Sequence, residues 1–256
     1  MKTTVCEFPN DPGELDTAWQ KLVAHVREEK SDVVLLPEMP FYRWLAHSRD
    51  FSADLWERAV QTHDRWMVRL NELAPATVVG TRPTTDDGCR YNVGFVWESE
   101  TGAVDLHAKY YLPDEPGFWE ATWYQRGNGD FDVAVTKHCK IGFLICTELW
   151  FNVRAREYGK QGADILVCPR ATPTSTREKW IVGGQAAAVV SGAFCLSSNL
   201  AGTTPEGCDF AGTGWIANPD GVVLGLTSTT WPFLTLDLDL GDARLAKTTY
   251  PRYVND

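Results

Sequence analysis

The sequence predicts an α/β protein whose core is a parallel-rich β-sheet, and three features support this fold class. Short, fully apolar segments at residues 33–36 and 165–168 have the length and composition of strands buried on both faces. Polar or amphipathic segments of helical length alternate with them along the chain. Hairpin-like pairs, such as the one around Pro219-Asp220-Gly221, indicate a mixed sheet. This pattern allows an arrangement in which two sheets pack as a sandwich between outer helices.

The predicted elements follow one another without a linker, a repeat or a low-complexity tract, so we expect a single domain over residues 1–256. A helix precedes each of the first two apolar strands, and turn residues such as Gly102 separate the later strands. In chain order we expect a helix at 14–30, a strand at 33–36, a helix at 53–73, strands at 78–80, 91–97, 104–106 and 141–146, a helix at 152–162, a strand at 165–168, a helix at 180–191, and strands at 193–198, 212–217, 222–226 and 233–238.

The composition excludes several classes of protein. A net charge of −10 over 256 residues gives no basic face for nucleic acid. No segment reaches the roughly 18 uncharged apolar residues of a membrane span, and no signal-peptide core follows Met1. The seven cysteines are scattered without CxxC spacing, which supports neither a metal site nor a disulfide framework. We therefore expect a cytoplasmic protein without a metal, a nucleic-acid partner or a membrane partner.

Cys146 is the strongest candidate for a reactive residue. It ends the apolar segment 141–146, and catalytic groups of α/β folds concentrate at the carboxyl ends of strands. A thiol needs a nearby base or cation to become a nucleophilic thiolate. The spacing is equally compatible with a cysteine that only packs at a strand end. The five histidines lie in no catalytic motif, so a Cys–His dyad has no support in the sequence.

Two further strand ends carry ionisable side chains. Glu38 follows the apolar segment 33–36 and lies between Pro37 and Pro40, which restrict the backbone around it. Lys109 lies among apolar and aromatic residues after the segment 104–106. Taken singly, each is more often a surface charge than a catalytic group. Three reactive side chains at three strand ends make a better case for a shared site.

The segments around these residues resemble the motifs of the nitrilase superfamily of carbon–nitrogen hydrolases. The three principal motifs are LLPEMPF around Glu38, AKYYLPDEPGFWE from Ala108 to Glu120, and GFLICTELWF around Cys146. Further similar blocks make the resemblance extend over nearly the whole chain: RYNVGFVW, QGADILVCPRATP, SSNLAG and FAGTGWIANPDGVVL.

This resemblance implies a four-layer α-β-β-α sandwich and a set of catalytic roles. Glu38 matches the general base, Lys109 the positive partner and Cys146 the nucleophile. Glu120 matches a second glutamate found in many members, because the pattern P-D-x-P-G-x-x-E fits it, and Glu115 is a competing candidate. The implied reaction is hydrolysis of a non-peptide amide or N-carbamoyl bond through a cysteine thioester, with release of ammonia or an amine. No cofactor is implied, and a homodimer or higher homo-oligomer is expected.

The chain also departs from the pattern of the superfamily, and these departures concern the substrate. Thr147 and Glu148 replace a tryptophan and an aspartate, Arg170 replaces a small polar residue, and Thr213 replaces a serine. Glu148 either enters the pocket or braces the turn, and the bracing role is slightly favoured. Arg170 either clamps a substrate carboxylate or pairs with Glu148 or Asp209.

We expect other residues near the nucleophile to contact the substrate. The backbone N–H of Thr147 is a candidate donor to the oxyanion. Apolar cleft walls are predicted from aromatic residues that could equally belong to the core or to a subunit contact: Tyr111, Trp119, Trp123 and Trp150.

Two other functions stay open at this level. A nitrilase that converts a nitrile to an acid uses the same catalytic residues, but the P-D-x-P-G segment resembles the amide and N-carbamoyl hydrolases more closely. A non-catalytic member that binds a partner would be expected to lack one of the three catalytic residues, and all three are present.

Overall fold

The computed structural model describes residues 1–204 and 207–254, and thirteen strands within this part of the chain form its sheet structure. The strands are β1 (Lys2–Pro9), β2 (Val33–Leu35), β3 (Thr77–Asp86), β4 (Cys89–Glu98), β5 (Gly102–Ala108), β6 (Ala134–Val135), β7 (Lys140–Phe143), β8 (Ile165–Arg170), β9 (Phe194–Thr203), β10 (Asp209–Ala211), β11 (Trp215–Ala217), β12 (Val223–Leu226) and β13 (Phe233–Asp237). The α-helices are α1 (Leu15–Glu29), α2 (Ala53–Met67), α3 (Glu120–Trp123), α4 (Asn152–Lys160), α5 (Arg177–Ser191) and α6 (Leu240–Ala246). Shorter 3-10 helices occupy Val68–Leu73, Cys146–Trp150 and Thr174–Thr176.

Strand β1 connects the two halves of the sheet structure. The strand order is β5-β4-β3-β2-β1-β9-β8-β7-β6. The first half of β1 pairs in parallel with β2, and its last three residues pair in parallel with β9. The central pairs are parallel, whereas β3–β4, β4–β5 and β6–β7 are antiparallel. The predicted mixed sheet with a parallel centre is therefore confirmed.

The first half of the sheet structure has two apolar faces, because successive side chains of a strand point to opposite sides. Val33 and Leu35 of β2 pack into a core that also contains residues of β7, β8 and β9. Val34 and Leu36 point the other way, into a core shared with Trp19 of α1 and with α2. The sheet is thus covered by helices on its outer side and by the second half of the strands on its inner side.

The second half follows the same alternation. Ile165 and Val167 of β8 belong to the core between the two halves, and Leu166 and Cys168 pack on the outer side against α4 and α5. The layers are therefore helices, sheet, sheet and helices, which confirms the four-layer α-β-β-α sandwich. The buried core between the sheets holds their facing surfaces together through the hydrophobic effect.

Strand β1 was missed by the prediction from sequence, although it lies at the centre of the structure. Its apolar run is interrupted by Thr3, Thr4 and Glu7, which are all buried. The hydroxyl of Thr4 bonds those of Ser31 and Thr235, at 2.6 and 2.8 Å. Partners far away in the sequence therefore satisfy the hydroxyl of Thr4, a residue type that does not by itself indicate a buried strand.

The other predicted elements lie close to their predicted places, but the strand expected at 212–217 begins only at Trp215, and β6, β10, α3 and α6 were not predicted. Two further differences are informative. The helix expected at 53–73 becomes a 3-10 helix after Met67. The strand expected at 141–146 ends at Phe143, so that Cys146 begins a 3-10 helix and has a φ of 48°. No helix within the described residues is long and apolar enough to cross a membrane. The expected single domain and homo-oligomer stay predictions.

Close packing of α5 against β11 gives a test of the outer layer. A Cβ atom added to Gly184 would lie 2.1 Å from the Trp215 indole ring, which is fully buried. We expect Gly184→Ala to lower the free energy of unfolding by about 1–3 kcal/mol, because overpacking outweighs the gain in helix propensity.

Thermal unfolding of the variant would measure this effect. Gly183→Ala is the matched control in the same helix, because the ring nearest to its added Cβ belongs to the half-exposed Trp150, which has room to shift. A larger loss of stability in the control than in Gly184→Ala would contradict the predicted packing.

Candidate active site

The three candidate residues at strand ends lie at one edge of the sheets, because β2, β5 and β7 all run in the same direction. Glu38 lies three residues after β2, Lys109 directly after β5 and Cys146 three residues after β7. Glu120 is the first residue of the short helix α3 and joins them. All four side chains are buried. The fold therefore brings together the predicted catalytic residues, including Glu120, whereas Glu115 is exposed.

Lys109 lies between two buried carboxylates. Its Nζ is 2.7 Å from Oε1 of Glu38 and 2.6 Å from Oε2 of Glu120. Burial favours the neutral amine, but the charges of Glu120 and Glu38 outweigh this effect and hold the pKa of Lys109 above its usual value. Lys109 is therefore an ammonium ion that compensates the negative charge of the site.

Each carboxylate is held through one oxygen and leaves the other without a partner. Oε1 of Glu38 also accepts a hydrogen bond from Nδ2 of Asn92 at 2.8 Å. Oε2 of Glu120 also accepts one from the hydroxyl of Tyr124. Oε2 of Glu38 and Oε1 of Glu120 have no hydrogen-bond partner in the described part of the chain. These two oxygens are available to take up a proton or to contact a substrate.

Burial raises the pKa of Glu120 to about 7, against the opposing effect of the Lys109 charge. The carboxyl group of Glu120 therefore changes its protonation state near neutral pH. Such a displaced pKa inside a buried cluster is typical of functional sites.

The Cys146 thiol is protonated in the resting structure. Burial, together with the nearby charge of Glu38, raises its pKa well above the usual value, and Lys109 only partly opposes this. Its Sγ lies with a carboxylate oxygen of each of Glu38 and Glu120 in a group whose atoms are all within 4.8 Å of one another. A nucleophilic thiolate thus requires transfer of the proton to a neighbouring base.

This group of two carboxylates and a thiol has the composition of a metal site. The Lys109 ammonium, however, contacts both carboxylates at 2.6–2.7 Å and thus takes the position that a cation would occupy. The geometry therefore fits an ammonium-centred cluster better than a metal centre.

A cavity of about 300 Å³ opens beside Cys146. It includes Thr147 and Trp150 from the predicted substrate contacts, together with Glu120 and the exposed Glu115. The lining also includes aromatic and polar residues that were not predicted from the sequence: Phe118, Thr172, Thr176, Lys179 and Trp180. The wall is largely apolar around the reactive group, as ligand pockets commonly are.

Four predicted substrate contacts lie outside the cavity lining: Tyr111, Trp119, Glu148 and Arg170. The ring of Tyr111 stacks on that of Phe151, and the guanidinium of Arg49 lies over the ring of Trp119. We therefore do not include these aromatic residues in the proposed substrate site. Trp123, also expected in the cleft, is buried in the outer core of the first sheet.

Arg170 adopts neither of its two predicted arrangements. It is 2% exposed, and its guanidinium donates hydrogen bonds to Oγ of Ser197, Oγ1 of Thr172 and the carbonyl of Thr213. All of these acceptors are uncharged, and Glu148 pairs instead with His107. Arg170 therefore links the end of β8 to the interior of β9 and to the segment before β11, and its carbonyl accepts the N–H of Glu38 at 3.3 Å.

The chain belongs to the carbon–nitrogen hydrolase family. The family model described as Carbon-nitrogen hydrolase matches residues 5–248. The N-carbamoylputrescine amidase of Arabidopsis thaliana is 31% identical over 231 residues, which are 81% of this chain and 75% of that protein. Membership of this family and similarity to an amidase define the chain as a hydrolase of the amidase branch.

Solved structures show the same fold. A carbon–nitrogen hydrolase from Helicobacter pylori G27 superimposes with a TM-score of 0.88 at 18% identity, over 98% of this chain and 94% of that one. Nit3 of Saccharomyces cerevisiae, described as a member of branch 10 of the nitrilase superfamily, gives 0.82 at 19% identity, over 99% and 95% of the two chains. The family model and the Arabidopsis relative confirm the resemblance to the nitrilase superfamily of carbon–nitrogen hydrolases.

The titration of Glu120 makes stability depend on pH. Its folded pKa of about 7 lies above its ordinary value of 4.5, so the protonated form stabilises the fold. This contribution is complete below pH 4.5 and is lost as the pH rises through 7. The melting temperature of the wild type should therefore decrease as the pH rises through this range. We expect the part of the decrease that comes from Glu120 to be absent in Glu120→Gln.

Melting temperatures of both proteins across this pH range would test the assignment. Glu115→Gln is the control, because Glu115 is an exposed carboxylate on the same segment. Parallel curves for the wild type and Glu120→Gln would show that another group titrates.

Proposed function

We propose that this chain hydrolyses a non-peptide amide or N-carbamoyl bond, with Cys146 as the nucleophile and a thioester as the intermediate. The observation that carries this proposal is the buried cluster in which a thiol, an unpaired carboxylate oxygen and an ammonium group lie together. Each group has the chemistry that one step of the reaction requires.

In the first step Glu38 acts as the general base. Its unpaired Oε2 accepts the thiol proton, and the thiolate of Cys146 attacks the carbonyl carbon of the substrate. A carbon–sulfur bond forms while the electrons of the carbonyl double bond move to oxygen. The Lys109 ammonium stabilises the negative oxygen by charge.

The N–H of Thr147 is the second donor proposed for this oxygen. In the 3-10 helix that begins at Cys146, the N–H of Glu148 donates to the carbonyl of Ile145 at 3.1 Å. The N–H of Thr147 precedes it, in the part of a helical turn where amides lack an intrahelical acceptor. The position of Thr147 in the cavity lining supports this role for its amide.

In the second step the carbon–nitrogen bond breaks. Glu38 returns its proton to the leaving nitrogen, so that ammonia or an amine departs and Cys146 keeps the acyl or carbamoyl group. A water molecule then gives a proton to Glu38 and attacks the thioester carbon. The carbon–sulfur bond breaks, and the thiol recovers its proton. Glu120 keeps Lys109 charged and offers its free Oε1 to the substrate.

The cavity and the family relationship both favour a small substrate. About 300 Å³ is at the lower end of ligand-pocket volumes. The name of the Arabidopsis relative supports an N-carbamoyl amine as the first compound to test. The complete catalytic cluster favours an enzyme over a non-catalytic binding protein.

Ammonia release from a panel of amides, N-carbamoyl compounds and nitriles would test the proposal. We expect activity on amides or N-carbamoyl compounds that disappears in Cys146→Ala, because no other thiol lies beside Glu38 in the described cluster. Cys195→Ala is the matched control: it removes another fully buried thiol, on β9, and we expect it to retain activity. Activity that survives in Cys146→Ala, or that is confined to nitriles, would overturn the proposal.

The role of Glu38 gives a second prediction. We expect Glu38→Gln to lower kcat by about 10²–10⁴-fold, because general-base catalysis contributes on this scale and the amide cannot accept the thiol proton. Glu115→Gln, at the exposed rim of the cavity, should leave kcat much less affected. Steady-state kinetics of both variants would test this role. An equal loss of kcat in the two variants would show that Glu38 is not the general base.

A further inference from the structure

A second buried ion pair adjoins the reactive cluster. Nε2 of His107 lies 2.8 Å from Oε2 of Glu148, and the two residues are 4% and 0% exposed. His107 precedes Lys109 by two residues, and Glu148 follows Cys146 by two. The sequence gave no catalytic motif around His107, and it left the role of Glu148 open.

The hydrogen bonds define the charge state of this pair. Nδ1 of His107 lies 3.0 Å from the carbonyl of Asp130, so it must donate a proton there. Nε2 faces the carboxylate and donates as well, which makes the ring an imidazolium. Burial opposes this charge, but Glu148 outweighs burial and the more distant Arg154, and the pKa of His107 is raised. The pair is thus a compensated buried ion pair.

The Glu148 carboxylate accepts hydrogen bonds from the two backbone segments that carry Lys109 and Cys146. Its Oε1 accepts the N–H of Tyr110, the residue after Lys109, at 2.7 Å. Its Oε2 accepts the N–H of Ile145, the residue before Cys146, at 2.9 Å. Together with His107, three donors converge on one ionised side chain, and such charge-assisted bonds are stronger than neutral ones.

Strand pairing alone does not determine the distance between these two segments. Strand β5 lies in one half of the sheet structure and β7 in the other, with six strands between them in the strand order. Lys109 and Cys146 therefore meet across the two packed sheets and not along a ladder of backbone hydrogen bonds. The ring of His107, stacked 6.5 Å from that of Phe143 at the end of β7, lies at the same junction.

We propose that Glu148, held by His107, is a positioning residue that fixes the Lys109 ammonium relative to the Cys146 thiol across the two sheets. The effect of this positioning on kcat rests on the proposed hydrolysis. An amide in place of the carboxylate would present a donor to one of the N–H groups that now donate to Glu148. The two segments would then move apart, and the reacting groups would lose their alignment.

Glu148→Gln tests this positioning role by separating kcat from KM. A displacement of about 1 Å at reacting groups typically costs about 10²-fold in rate. We expect kcat to fall by about this factor with KM nearly unchanged, because the cavity lining does not include Glu148. Glu148→Asp keeps the charge and should restore part of kcat. We expect iodoacetamide to alkylate Cys146 fastest in the wild type, more slowly in Glu148→Asp and most slowly in Glu148→Gln. The amount of labelled peptide measures this rate.

Asp164→Asn is the matched control at the opposite end of β7. Asp164 is 5% exposed, and its Oδ2 accepts the N–H of Lys140 at 2.9 Å, so it also joins buried backbone through a carboxylate. We expect this variant to lower the melting temperature without lowering kcat per folded molecule. If Glu148→Gln does not fold, the same measurements of kcat and alkylation rate are made on Glu148→Asp and His107→Gln.

Two outcomes would overturn the positioning role. One is an unchanged kcat in the Glu148 variants despite a lower melting temperature, and the other is an equal loss of kcat in Asp164→Asn. If the wild type hydrolyses none of the panel, the proposed function fails, but the alkylation rates still decide the positioning role. Alkylation of Cys146 at the wild-type rate in Glu148→Gln would then contradict it.

Discussion

The ammonium group of Lys109 between Glu38 and Glu120 is the interaction on which the active site depends. Buried charges are stable only when they are paired, and removal of one partner leaves the others uncompensated. Here one cation compensates two carboxylates and lies beside the Cys146 thiol, which must lose a proton in the proposed reaction. Loss of this cation would leave two buried carboxylates without a compensating charge, and Glu38, the proposed base, would lose its ion pair.

This arrangement requires precise placement of strand ends that come from both sheets. Parallel pairing around β1 aligns β2 and β7 in one direction, and the core between the sheets holds their faces together. The reactive groups thus occur at the edge where the strands end and the chain turns. The positive φ of Cys146 and the bonds of Glu148 belong to the same turn, which presents the thiol beside the cavity.

Two departures of this chain from the superfamily pattern, Glu148 and Arg170, have structural explanations. Glu148 pairs with His107 and accepts the N–H of Ile145 at the turn that leads into Cys146. Arg170 has no carboxylate partner among the described residues, and it links the end of β8 to the interior of β9 through hydroxyl and carbonyl oxygens. Neither residue lines the cavity beside Cys146, whereas Thr147 and Trp150 do.

The sequence by itself determined the alternation of strands and helices, the strand-end positions of Glu38, Lys109 and Cys146, and the family, because these depend on local patterns. Only the tertiary structure decided which glutamate meets Lys109: Glu120 lies 2.6 Å from its Nζ, and Glu115 is exposed. It also revealed the central strand β1 and the partners of Arg170 and Glu148. These depend on polar groups satisfied by residues far away in the chain, and no local pattern records such contacts.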